Sequence, residues 1–134
     1  MAIRSKVCSE MPHPASAAGL HLIADLARGS RLDDLEWIER TLRDAAAAAA
    51  VKVLDVKLHP FGPGMGITGV ALLAESHISI HTWPETGVAA VDIFVCGAGT
   101  NADAALTLIE ERLTAVTTYR QAIPRLGSRA QSVS

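Results

Sequence analysis

The chain has 134 residues, of which 49% are hydrophobic, and its formal net charge at pH 7 is −2. This length fits one compact domain, and a domain this small gains stability from oligomerisation. The sequence has no basic run, which argues against a nucleic-acid partner and against binding to a membrane surface. It also has neither a secretory signal nor the roughly 20 apolar residues of a membrane span. We therefore expect a cytoplasmic protein.

The first part of the chain predicts a flexible leader, a strand and a helix. The leader covers residues 1–18, and residues 19–26 alternate apolar and polar side chains as a half-buried strand does. Ser30 lies before an acidic first turn and resembles a helix N-cap, and apolar residues then recur at helical spacing. These signals predict a helix over residues 32–50.

The middle of the chain predicts four strands, and the loops between them differ in character. A Gly- and Pro-rich loop at 60–66 follows the strand at 51–59, and a turn at 84–87 precedes the strand at 88–96. The junction between Glu75 and Ser76 separates two strands without any turn-forming residue. Alternation places these strands at 51–59, 67–74, 77–83 and 88–96.

The last part of the chain predicts a second helix, capped by Thr100 or Asn101, a final strand at 114–123 and a flexible tail at 125–134. The element order favours an α+β fold, a two-layer sandwich in which two helices cover one face of an antiparallel sheet. Residues 19–124 form this single domain. A face-to-face homodimer would cover the other sheet face and give a four-layer αββα assembly.

The two cysteines, Cys8 and Cys96, are too few for a disulfide framework. The sequence therefore favours a reducing compartment, in which Cys96 keeps its thiol.

Residues 67–97, ITGVALLAESHISIHTWPETGVAAVDIFVCG, resemble the prokaryotic S-adenosylmethionine decarboxylase family, as do the segments GLHLIADL and HPFGPGMG. The resemblance implies a proenzyme in which Ser76 attacks the carbonyl of Glu75 and the chain is cut between residues 75 and 76. The cofactor would be a pyruvoyl group derived from Ser76, whose ketone forms a Schiff base with a substrate amine and accepts electrons when carbon dioxide leaves. The implied reaction is decarboxylation of S-adenosylmethionine for spermidine biosynthesis.

The same resemblance implies roles for three further residues in the chemistry. His81 matches the base that removes the α-proton of Ser76 during processing. Thr68 lies eight residues before Ser76, where the family has a second hydroxyl that assists the cut. Cys96 matches the acid that returns a proton to the α-carbon of the substrate.

Two other residues match substrate-binding positions of the family. Glu85 matches a carboxylate that binds the ribose hydroxyls, and Phe61 matches an aromatic residue that stacks on adenine and can face the sulfonium. Ala27 and Arg28 occupy the place where the family often has another aromatic residue for adenine.

Strand periodicity predicts that Ser76 and His81 point to opposite faces of the sheet. If the homodimer of cleaved α and β chains that the resemblance implies is formed, we expect it to contain two shared sites. One subunit would supply Ser76 and Cys96, and its partner would supply Phe61, Thr68, His81 and Glu85.

Three alternatives remain open at this stage. A pyruvoyl enzyme could instead decarboxylate a basic amino acid, ornithine or arginine. A non-catalytic paralogue would be expected to have lost Ser76, His81 or Cys96, and all three are present. A metal site formed by His59, His77, His81 and Cys96 is disfavoured, because no tight ligand motif accompanies these residues.

Overall fold

A computed structural model of the protein describes residues 18–127. Within this range the chain forms six strands and two helices. In chain order they are β1 (Gly19–Ala27), α1 (Leu35–Ala48), β2 (Val53–Pro60), β3 (Ile67–Leu73), β4 (Ser76–Trp83), β5 (Val88–Cys96), α2 (Ala102–Leu113) and β6 (Val116–Arg125).

The strands form one sheet in the order β2-β3-β4-β5-β1-β6, and each described neighbouring pair is antiparallel. Consecutive strands β2 to β5 lie side by side, whereas β1 inserts between β5 and β6. This arrangement confirms the predicted α+β fold with an antiparallel sheet. The four-layer dimer stays a prediction.

Both helices pack on the same face of the sheet. Helix α1 contacts β2 and β3, and α2 contacts β1 and β5. Alternate residues of the central strands point into the layer between the sheet and the helices, where their apolar side chains are removed from water. The largest fully buried side chains of this core layer include Leu22, Leu26, Ile38, Leu42, Ile78, Ile80, Ile93, Ile109 and Leu113. Among residues 18–127, no element packs on the opposite face, here called the open face.

Helix α1 begins at Leu35, so the predicted start at residue 32 with Ser30 as N-cap is wrong. The cap is Asp34, whose carboxylate accepts a hydrogen bond of 3.1 Å from the backbone N–H of Trp37. The Ser30 hydroxyl instead donates to the carbonyl of Leu113 at the end of α2, at 3.2 Å. A contact between distant segments therefore overrides the local capping signal.

Helix α2 begins directly after one of its two predicted caps, whereas β6 begins and ends two residues later than the sequence predicts. Of the two candidate caps of α2, Asn101 is the one used, and it accepts from the N–H of Ala104 at 3.0 Å. Thr114 ends α2 in the left-handed conformation, so the final strand cannot begin there. Strand β6 runs through Pro124 to Arg125, which the edge position permits because an edge strand has unpaired backbone groups.

Residues 1–17 of the predicted leader and residues 128–134 of the predicted tail lie outside the described residues. Arg125, predicted to begin the tail, is the last residue of β6. Within residues 18–127, no helix is long and apolar enough to cross a membrane.

Candidate active site

The junction between Glu75 and Ser76 lies at a tight hairpin turn between β3 and β4. Leu73 and Ser76 form the last pair of the ladder, so Ala74 and Glu75 alone make the connection. Glu75 has a φ of 58°, in the left-handed region that favours glycine. A non-glycine residue held there carries a strain on the order of 1–3 kcal/mol. The strain therefore lies directly next to the predicted cleavage point.

The hydroxyl of Ser76 is buried, and among residues 18–127 it makes no hydrogen bond. Leaving a buried hydroxyl without a partner costs about 1–3 kcal/mol. Ser76 shares the helix-covered face of β4 with Ile78 and Ile80, so water is kept away from it. An uncompensated hydroxyl at this position can react with the carbonyl group that precedes it.

The sulfur of Cys96 lies 3.1 Å from the carbonyl oxygen of Glu75. The structure thus brings Glu75, Ser76 and Cys96 together at one end of β4. It contradicts the expectation of a reduced thiol, however, because Cys96 is in a disulfide whose partner lies outside the described residues. A disulfide sulfur has no proton to donate, so the predicted acid role of Cys96 requires the reduced protein.

A second group of predicted residues meets at the opposite end of β4. Thr68 of β3 and His81 of β4 are cross-strand partners, and the Thr68 Oγ1 and His81 Nδ1 atoms are 3.2 Å apart. The threonine hydroxyl can donate to a neutral imidazole nitrogen or accept from a protonated one, because the roles depend on the histidine tautomer. This contact orients the imidazole ring toward the open face.

Thr68 and His81 line an open cavity of about 470 Å³, which Phe61 and Glu85 also line. Phe61 is 56% exposed, which leaves its ring available to a ligand. The remaining lining residues are Gly64, Met65, Gly66, Ile67, Thr82 and Trp83. The four cavity residues predicted from the sequence therefore belong to one site.

The junction and the cavity do not meet within one chain. His81 is five residues beyond Ser76 in β4, a separation of about 16 Å at the usual rise per residue of a strand. Their side chains also point to opposite faces, since Ile78, Ile80 and Thr82 are buried whereas His81 and Trp83 are exposed. The structure therefore separates the residues into the two groups expected from strand periodicity.

The sequence reading missed three residues that shape the cavity. Trp83, which is 44% exposed, lines it with an indole ring, and Met65 lines it with a thioether. Gly66 allows the loop to pass close to β4, because a Cβ atom on Gly66 would lie 2.0 Å from the carbonyl oxygen of Thr82. The Gly- and Pro-rich composition of the loop was the only signal of this close approach.

A polar cluster on the open face, which includes His21, was also not predicted from the sequence. Asp92 Oδ1 lies 2.8 Å from His21 Nε2 and 2.7 Å from His77 Nε2, and Asp92 Oδ2 accepts a hydrogen bond from Ser79. Burial raises the pKa of Asp92, but the hydrogen bonds from Ser79, His21 and His77 together hold that pKa below its ordinary value. Asp92 is therefore a carboxylate at neutral pH.

The cluster has the composition of a three-ligand metal site, but its hydrogen bonds oppose this function. Arg125 lies 3.1 Å from His21 Nδ1, and a guanidinium group can only donate hydrogen bonds. His21 Nδ1 therefore accepts, and Nε2 carries the proton that points to Asp92. A metal ion at Nε2 would have to displace that proton while Arg125 occupies the other nitrogen.

Comparison with known proteins identifies similar chains over most of this length. Residues 20–126 match the family described as S-adenosylmethionine decarboxylase. The chain is 46% identical over 94 residues to the S-adenosylmethionine decarboxylase proenzyme of Thermomicrobium roseum, covering 70% of this chain and 81% of that protein. It is 48% identical over 97 residues to the protein of the same description from Prochlorococcus marinus, covering 71% and 79%.

A solved structure shows the same fold. The adenosylmethionine decarboxylase from Aquifex aeolicus matches with a TM-score of 0.68 at 36% sequence identity, covering 81% of this chain and 89% of that one.

Proposed function

The chain belongs to the S-adenosylmethionine decarboxylase family, and on that premise we propose that it is a self-processing, pyruvoyl-dependent decarboxylase of S-adenosylmethionine. The observation that carries the proposal is the Glu75-Ser76 junction. It combines a strained residue before the bond with a buried, unpartnered hydroxyl after it, when partners are sought among residues 18–127.

Self-cleavage uses the groups of this junction in two steps. The Ser76 hydroxyl oxygen attacks the Glu75 carbonyl carbon, and the peptide nitrogen leaves as an amine, so that an ester replaces the amide. A base then removes the α-proton of Ser76, and the Glu75 carboxylate leaves from the side-chain carbon, which cuts the chain and leaves a dehydroalanine at position 76. Water then hydrolyses the imine tautomer of this residue, so that a ketone oxygen replaces the nitrogen, which leaves as ammonia. The first step relieves the strain at Glu75 and gives the Ser76 oxygen a bonded partner. The residues present therefore fit the formation of a pyruvoyl group at position 76.

Once formed, the pyruvoyl group supplies a ketone that reacts with an amine and accepts the electron pair left when carbon dioxide departs. We assign to Cys96 the return of a proton to the substrate, because its sulfur already lies beside the junction. This role requires the thiol, which fits a cytoplasmic protein because thiols are kept reduced there.

We assign the base to His81 and the second hydroxyl to Thr68, both supplied by a partner subunit. Within one chain, His81 lies about 16 Å along the strand from Ser76 and on the other face of the sheet. If the open faces of two subunits pack together, the cavity of each can lie over the backbone of the other's junction and approach the α-carbon of Ser76 from the face opposite to its side chain. Each homodimer would then contain two shared sites.

The cavity suits an adenosyl sulfonium compound better than a small basic amino acid. Phe61, Trp83 and Met65 give it apolar and aromatic walls, and Glu85 lines it with a carboxylate. An aromatic face attracts a sulfonium cation, and a carboxylate accepts two hydrogen bonds from a ribose diol. Trp83 supplies a second aromatic wall, whereas Ala27 and Arg28 supply none. This observation favours S-adenosylmethionine over ornithine or arginine.

Carbon dioxide release from S-adenosylmethionine, ornithine and arginine, measured in parallel on reduced protein, tests the proposal. We expect release from S-adenosylmethionine alone. Cys96→Ala should lose most of this activity even where the chain is cut, whereas Cys8→Ala removes the other cysteine and should keep it. Release only from ornithine or arginine would reassign the substrate. A cleaved but inactive wild-type protein would contradict decarboxylation itself.

A further inference from the structure

We infer that Asp92 is a positioning residue for self-cleavage, acting through His77 to keep the strained Glu75-Ser76 junction from relaxing. The inference rests on the proposed function, because it concerns the rate of the cut. Asp92 does not touch the reacting atoms, and it lies in the middle of β5 on the open face.

The hydrogen bonds of the cluster all point toward Asp92. An ionised carboxylate only accepts, so both His21 and His77 donate to Asp92 Oδ1 through Nε2–H, and Ser79 donates to Oδ2. Hydrogen bonds to a charged acceptor are stronger than neutral ones. Asp92 therefore holds the side chain of His77 in one orientation.

The cluster is also anchored on four strands. Arg125 of β6 donates to His21 of β1, His21 donates to Asp92 of β5, and His77 of β4 donates to the same carboxylate. The ring of His77 also stacks against the ring of Phe94, with centroids 6.0 Å apart and an angle of 28° between the planes. A residue tied across the sheet in this way cannot rotate without breaking several contacts.

The cluster is connected to the scissile bond through the start of β4. A strained backbone conformation persists only where the surrounding structure fixes both of its sides. On the N-terminal side, the N–H of Ala74 donates to the carbonyl of Lys52 at 2.9 Å. On the C-terminal side, Ser76 is followed directly by His77, whose side chain Asp92 fixes. The backbone of β4 is also paired with β3 and β5 at this end. Loss of the side-chain contact therefore loosens the first residues of β4 in part, and part of the strain at Glu75 is released before the bond is cut.

The test is the time course of self-cleavage of the freshly synthesised full-length chain, followed by gel electrophoresis. Asp92→Asn keeps the shape of the side chain but removes its charge and one acceptor oxygen. We expect self-cleavage of Asp92→Asn to be slower than that of the wild type by about tenfold, because part of the backbone strain at Glu75 is lost. Asp25→Asn changes a carboxylate on the same open face, on β1, that lines one cavity with Ser79 and Asp92 but has no described side-chain hydrogen bond or ion pair to this cluster. It should cleave at the wild-type rate.

A rescue variant separates positioning from a general loss of stability. The side-chain amide of glutamine can donate in place of the imidazole Nε2–H, so His77→Gln should retain much of the cleavage rate that His77→Ala loses. The kcat for decarboxylation, expressed per cleaved subunit, should be unchanged in Asp92→Asn, because the strained bond no longer exists after the cut.

Cleavage of Asp92→Asn at the wild-type rate would overturn the inference and leave the proposed function intact. Equal slowing by His77→Gln and His77→Ala would overturn it as well. A wild-type chain that never cleaves would instead overturn the proposed function, and the inference with it.

Discussion

Two buried threonines differ in how much their hydroxyl groups contribute to the stability of the fold, because only one of them is hydrogen-bonded to a described residue. Thr82 donates to the carbonyl of Leu32 at 2.8 Å and accepts from the N–H of Ile67 at 2.9 Å, which joins the loop before α1 to the start of β3. Thr41 is equally buried in α1, yet its hydroxyl has no hydrogen-bond partner among residues 18–127.

We predict that Thr82→Val lowers the free energy of unfolding by roughly 1–3 kcal/mol, because a buried donor and a buried acceptor lose their partner. Urea unfolding of the purified chain measures the change.

Thr41→Val is the matched control, since it removes a buried hydroxyl that makes no hydrogen bond with any described residue. We expect it to be neutral or stabilising. A similar loss of stability in both variants would show that side-chain shape, rather than the hydrogen bonds of Thr82, determines the cost.

At the level of single residues, much of the candidate site can be predicted from the sequence. The similarity of residues 67–97 to a known family indicated Ser76, His81 and Cys96, and it indicated Glu85 for the cavity. Trp83 and Met65 could not be predicted in the same way, because an aromatic or thioether side chain in an apolar segment is more often part of a core. Only the fold shows that both side chains line a cavity.

At the level of elements, the strands of the central sheet follow their alternating pattern closely, while the ends of helices do not. Ser30 and Asp34 are both good N-cap residues, and the sequence alone favours the first. The contact of Ser30 with the end of α2 decides between them, and such contacts are invisible to local propensity. The same limit applies to the start of β6 after Thr114.

The β3-β4 hairpin is the element in which local rules fail for a functional reason. Its two connecting residues, Ala74 and Glu75, are not turn formers, and Glu75 adopts a conformation suited to glycine. Disagreement between sequence preference and structure is expected at functional sites. The missing turn signal is therefore itself an indication of the cleavage point.

The Asp92 cluster illustrates a further limit of sequence reasoning. His21 and Asp92 are 71 positions apart, and they meet only because β1 inserts between β5 and β6. No spacing rule connects residues that are joined by the strand order of a sheet.

At the level of the whole molecule, the proposed shared sites depend on the pairing of two subunits. The open face carries both the cavity and the polar cluster, and the junction lies at its edge. The shared-site proposal predicts that neither Ser76→Ala nor His81→Ala is cut efficiently alone. After mixing under conditions that exchange subunits, the His81→Ala chain should be cut, because its Ser76 meets an intact His81 from the partner.

A size tag on one variant identifies the chain that is cut. Mixing His81→Ala with a Ser76→Ala, His81→Ala double variant is the control, and it should remain uncut because neither subunit supplies the base. Absence of cleavage in the first mixture, after exchange has been verified, would place Ser76 and His81 in the same subunit or remove His81 from the processing step.

The intact mass of the purified wild-type chain tests the central claim most directly. We predict two chains in place of one, divided between Glu75 and Ser76, with the second lighter by one ammonia than a chain that begins with serine. That mass identifies a pyruvoyl end. A single chain of full length, or a second chain with an unmodified serine at its start, would contradict self-processing at this junction.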